Sequence, residues 1–215
     1  MNRNMPAAVQ DRALQIAHHE MGHYVMARAL GFSTGGVTLS VTMDLRHQGG
    51  ASITLARPIT SMEALTTYLE ARMMVLMAGA MGQTLSSKQV SGSHVDKSKA
   101  VAILKGAQGA EQDYAKVKEL QHLLRNITCQ ETDSTSSERI AAELKAMTDH
   151  VWTRAQKIID DLADTITELA LLLVERMVIV EQWGRSADTY EVVFTREMLE
   201  RLPAVRAVPV LSVCM

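Results

Sequence analysis

His19, Glu20 and His23 stand in the order H-E-x-x-H, inside a stretch that reads as helix. Residues four apart share one helical face, so the two imidazoles can converge on a single zinc ion. Glu20 is turned by about 100° from His19 around the helix axis, beside such an ion and not on it. From there it is placed to take a proton from an activated water and pass it to a leaving amine.

The element that must position these residues is a helix capped by Asp11 and running to about Leu30, with Gly31 as its stop. Leu14, Ala17, Met21, Val25 and Ala29 form an apolar stripe beside the two histidines. Gly22 costs about 1 kcal/mol relative to Ala in a helix, so another backbone or a ligand is expected to approach it closely. A surface helix with two solvated histidines would explain neither Glu20 nor Gly22.

Beyond this helix, Val37–Val41 and Ala51–Leu55 read as two short strands, introduced by Gly35-Gly36 and Gly49-Gly50 and ended by Pro58. Thr60 or Ser61 caps a helix to about Leu85 that turns apolar all round and is expected to be buried. A polar loop over Lys88–His94 leads to a helix over Val95–Lys105, interrupted at Gly106 and Gly109, and then to one over Ala110–Asn126. Thr128–Ser137 is Ser/Thr-rich and expected to be mobile. Ser137 caps a long helical stretch to about Val180, its stripe running from Ile140 through Val151 and Ile158 to Leu173. After a turn over Trp183–Tyr190, Glu191–Phe194 is extended and Thr195 caps a last helix to about Leu202. The pattern predicts a mainly α fold with a small β-sheet. One domain spans residues 11–202 between tails at 1–10 and 203–215.

The 215 residues suffice for one good core, and 47% hydrophobic with 21% charged residues is ordinary for a soluble globular protein. A net charge of −2 and 4% aromatic residues exclude an electrostatic or base-stacking case for nucleic acid, and an anionic membrane surface as well. The fourteen methionines read as adaptable core filling. Cys129 and Cys214 form no C-x-x-C pattern and read as reduced thiols. Met1–Gln10 lacks the apolar run of a signal peptide, and the apolar stretch Leu169–Val174 is far too short to cross a bilayer. A cytoplasmic protein is expected.

A catalytic zinc needs a third protein ligand and an open position. His47, His94, His122, His150 and many carboxylates are candidates from spacing alone. His18 points away from the His19/His23 face, toward a second shell or solvent. The segment His18–Arg28 closely resembles the H-E-A-G-H-A-V helix of the FtsH-type AAA protease peptidase domain. Val37–Ser40 resembles that family's "VTI" strand, and Gly49–Ser52 falls where its second strand begins. Ala78–Gln83 sits at its G-G-R-A-A-E-like segment, with Gln83 in place of an acid. Gly92–Ala100 resembles its G-A-x-x-D-x-x-x-A segment, and Ala155–Ile159 with Leu169–Arg176 resembles a stretch of its long helix. The resemblance covers about residues 11–202.

It implies an FtsH-like peptidase fold with a zincin-type active-site helix. It also implies Zn²⁺ held by His19, His23 and Asp96, and Glu20 as the catalytic base. Asp96 also stands at a helix start, where a carboxylate serves as a cap. The family's phosphate loop G-x-x-x-x-G-K-[ST] and its transmembrane segments have no counterpart in the sequence. The expected activity is therefore ATP-independent zinc metalloendopeptidase action on peptides or unfolded segments, with no nucleic-acid or membrane partner. The alternative is a catalytically weak or inactive FtsH-like binding or regulatory module, associated with itself or with an AAA protease. A zinc hydrolase of non-peptide amides is a third, weaker reading.

Overall fold

The computed structural model describes residues 5–85, 92–107, 110–129, 136–180 and 188–211. Parts of the expected 88–94 loop, the Gly109 break, most of the Ser/Thr-rich stretch, the turn from Trp183, and Cys214 lie outside them. The architecture is mainly helical with a small antiparallel sheet, as the pattern predicts.

Helix α1 (Ala7–Ala29) is the central element, buried on nearly every face from Ala13 to Ala29. The Asp11 cap does not form. The helix starts at Ala7, one turn earlier, because Ala7 and Ala8 are good helix formers and Pro6 at the N-cap lacks an N–H to satisfy. Leu30 and Gly31, the latter at φ 76°, end the helix as expected.

Strands β1 (Ser33–Thr42) and β2 (His47–Thr54) form a hairpin. With β3 (Val178–Val180) and β4 (Thr189–Phe194) they make a four-stranded sheet ordered β2-β1-β4-β3. Val37, Leu39 and Val41 face the core, and both edges of β1 are paired.

Helix α2 (Met62–Gly82) is capped by Ser61 Oγ, which accepts from Ala64 N at 3.1 Å, and is fully buried from Met73 to Gly82. It lies against α1 at a contact of small residues. A methyl group on Gly22 would strike the Ala78 carbonyl, and one on Gly82 would lie 3.2 Å from Gly22 Cα. Of the two partners expected for Gly22, the structure supplies the backbone.

Helix α3 (Lys97–Ala102) runs into a π turn at Ile103–Ala107, where Gly106 has φ 105°. Helix α4 (Glu111–Thr128) follows. The long C-terminal helical stretch is two helices, α5 (Ser137–Asp161) and α6 (Ala163–Glu175), broken at Leu162. The chain after α6 leaves the helix because the β-branched run Val178-Ile179-Val180 pairs with β4. Two short helices, α7 (Arg196–Arg201) and α8 (Pro203–Ala207), close the described chain. Among the described residues no helix is long and apolar enough to cross a membrane.

Candidate metal centre

One helical turn separates His19 from His23 on α1, and their Nε2 atoms come to 3.0 Å of each other. Each ring is fixed by its other nitrogen. His23 Nδ1–H donates to the Val75 carbonyl at 2.7 Å, and His19 Nδ1–H donates to Gln83 Oε1 at 3.2 Å. Both partners belong to the α2 segment that packs on α1. These bonds leave both Nε2 atoms as lone-pair acceptors aimed at one point. At this distance the two nitrogens can share either a proton or a metal ion.

A carboxylate completes the group, and it comes from Asp113 in the first turn of α4. Its Oδ2 lies 3.1 Å from His23 Nε2 and 3.3 Å from His19 Nε2. Zinc bonds of about 2.0–2.1 Å would set tetrahedral ligand atoms about 3.3 Å apart. The three edges of 3.0, 3.1 and 3.3 Å therefore suit one face of such a tetrahedron. Two imidazoles and one carboxylate are also the donor set of hydrolytic zinc sites.

Asp96, the third ligand that the resemblance implies, is not part of this group. It is exposed and caps α3, its Oδ1 accepting from Lys99 N at 3.0 Å, while its own N–H donates to Thr84 Oγ1 at 3.1 Å. His94 is exposed near Asp160, and His122 and His150 are exposed on helices. His18 is not in solvent. It is buried, donates from Nδ1 to the Leu14 carbonyl at 2.8 Å, and burial lowers its proton affinity. A signal for Asp113 was present in the sequence: Gly109-Ala110-Glu111-Gln112-Asp113 fits the first five places of G-A-x-x-D-x-x-x-A and misses the last at Val117, while Gly92–Ala100 misses only at Ser93, so the pattern does not separate the two acids.

The electrostatics of the group follow from its geometry. Burial opposes a charge on His23, but the hydrogen bond and field of Asp113, with Glu20 nearby, raise its proton affinity overall. Burial likewise opposes the Asp113 carboxylate. The two histidines outweigh that and hold its proton affinity well below the usual carboxylate range.

Glu20 is 8% exposed and, among the described residues, forms no hydrogen bond or ion pair. It stays beside His19 because Gly49 on β2 makes room. A methyl group there would lie 2.8 Å from Glu20 Oε1 and 2.9 Å from Ile16 Cγ2. Two polar clefts of about 400 and 300 Å³ meet at His19 and Glu20. The larger is walled by β2, α2 and the start of α4, the smaller by His47, Gln48, Gln83 and Gln112.

Comparison with protein-family models finds no match, and comparison with curated proteins finds none.

Proposed function

We propose that this chain is a zinc metalloendopeptidase of the H-E-x-x-H type, acting on peptides or unfolded segments. Its ligands are His19, His23 and Asp113. One observation supports this above all: a buried, unpartnered Glu20 carboxylate stands beside three converging ligand atoms and opens into a cleft. A site that only held metal for stability would have no use for that carboxylate.

Zinc bound there would supply a Lewis acid that polarises a carbonyl and acidifies a water. The rest is the work of the chain. Glu20 takes a proton from the attacking water at a carboxylate oxygen and returns it to the leaving nitrogen. Gln83 and the Val75 carbonyl hold the imidazoles in the tautomer that presents Nε2. Since β1 is paired on both sides, β2 is the strand near the site whose outer edge is open to an added peptide strand. The FtsH-like pattern of the sequence agrees with this reading, and a cytoplasmic location and association with an AAA protease or further copies belong to the same proposal.

Metal analysis joined to a peptide-cleavage assay tests it. Wild-type protein is expected to bind one zinc per chain and to lose cleavage with a chelator. Glu20→Gln should keep zinc and lose at least about 10²-fold in turnover. Asp113→Ala should weaken zinc binding at least tenfold, while Asp96→Ala should leave it intact. Full activity in Glu20→Gln, or unchanged zinc binding in Asp113→Ala, would sink the assignment.

A further inference from the structure

One face of α2 presents Arg72, Val75, Gly79 and Gln83 at spacings of three and four residues. The last three all act on the imidazoles: Val75 and Gln83 through hydrogen bonds, Gly79 by leaving room, since a methyl group there would lie 2.7 Å from His19 Nε2. Arg72 begins the same row and lines the larger cleft with Lys116 of α4, opposite Gly50, Ala51 and Ile53 of β2.

The state of Arg72 is unusual for this protein. Among the described residues five other arginines are partly buried: Arg12, Arg28, Arg57, Arg125 and Arg154. Each hydrogen-bonds to a carbonyl or side chain. Arg72 is equally half-buried but, among the described residues, makes no hydrogen bond or ion pair. Burial weakens its hold on its proton, opposed by the fields of Tyr68 and Asp113. A partly desolvated guanidinium with its donors free suits bidentate recognition of a carboxylate or phosphate.

The acids nearby do not fill that role. Asp113 is committed to the two histidines, and Glu20 is packed against Gly49. Glu111 lies back over Gly106, where a methyl group would meet its Cγ at 3.2 Å.

We infer that Arg72, with Lys116, forms an anion subsite at one end of the cleft, where a substrate carboxylate docks beside the cleavage site. The inference rests on the peptidase reading and deepens it by naming the substrate class, acidic peptides. Arg72 supplies the planar fork that receives both carboxylate oxygens, and Lys116 a second, exposed charge. The carboxylate can come from an Asp or Glu side chain or from a C-terminus.

Matched quenched-fluorescent peptides test this and separate the two sources. One series moves a single Glu or Gln along a neutral sequence, and a second compares a free-acid with an amidated C-terminus. Wild-type protein should prefer the acidic member at one position by about tenfold or more in kcat/KM. That ratio should fall toward one in Arg72→Ala, be kept only in part in Arg72→Lys, which retains the charge but not the fork, shrink partly in Lys116→Ala, and invert toward lysine peptides in Arg72→Glu. A merely structural role for Arg72 would lower both members together and leave their ratio unchanged. No acidic preference, or one that survives Arg72→Ala with Lys116→Ala, overturns the inference while leaving the peptidase reading intact. Zinc-loaded Glu20→Gln provides the second readout, by anisotropy of labelled acidic and neutral peptides. If nothing is cleaved the peptidase reading fails, and the anion subsite stands or falls on whether the acidic peptide binds at least tenfold tighter in an Arg72-dependent way.

Discussion

Asp113 and His23 each shift the other's affinity for protons, and the sign of the effect on stability follows. His23 has its proton affinity raised, so it adds stability that is complete below its ordinary 6.5 and lost as pH rises through the raised value. Asp113 has its own lowered, so it adds stability above its ordinary 3.8 that is lost as pH falls through the lowered value. The metal-free protein therefore gains most from the pair between about pH 3.8 and 6.5. Asp113→Asn is expected to lower the melting temperature of metal-free protein more at pH 5.5 than at pH 8.5. An equal loss at both values, measured by thermal unfolding in chelator, would mean the pair is not charged. Zinc reverses the preference. It needs both imidazoles neutral, so its affinity should fall as the pH is lowered through the His23 transition.

At the level of elements, the α1–α2 crossing does two jobs with the same small residues. Gly22, Gly79 and Gly82 let the helices close, and closing brings the Val75 carbonyl and Gln83 to the imidazoles. Gly22→Ala would gain about 1 kcal/mol of helix propensity. Its methyl group would meet the Ala78 carbonyl, which is backbone and cannot turn aside. Net destabilisation of about 1–3 kcal/mol is expected from denaturant unfolding. Gly79→Ala instead places its methyl against both ligand nitrogens, so zinc titration should show a larger loss than unfolding does. A variant that binds zinc normally would show that α2 is farther from the histidines than described. The same scale shows what periodicity conceals. The stripe from Ile140 to Leu173 continues across Leu162 without a break in spacing, yet the backbone there leaves the helix at φ −111°, ψ 14°. Hydrophobic period records which face is buried, not whether the axis is continuous.

Across the whole molecule, the candidate metal centre brings together two distant parts of the chain. His23 and Asp113 are 90 positions apart, on α1 and α4, and neither helix is held to the other by a disulfide. A zinc ion that binds only the folded chain stabilises it in proportion to its occupancy. At one hundred times the dissociation constant the gain is about 2.7 kcal/mol, or roughly 5–10 °C in a domain of this size. Thermal unfolding with zinc and then with chelator should show that shift, and Asp113→Ala should cut it to about half or less. A rise of the same size in the variant would place the ion elsewhere.

What the sequence alone determined is local. A four-residue spacing on a helix puts His19 and His23 on one face because the helical period is fixed, and a glycine at position 22 announces a close backbone for the same steric reason. The mainly α architecture and the presence of two strands after α1 were legible from periodicity and turn residues, whereas Gly49 and Gly50, read as leading into the second strand, lie within it. That Asp113, and not Asp96, lies against the two histidines is a matter of tertiary packing. Both acids open a helix, and both follow a glycine by four positions, so their local environments read alike. Packing carries the start of α4 across α2 to the histidines and leaves the start of α3 facing solvent, with Asp96 as its cap. That Arg72 has no partner among the described residues is of the same kind, since it depends on where packing puts its neighbours.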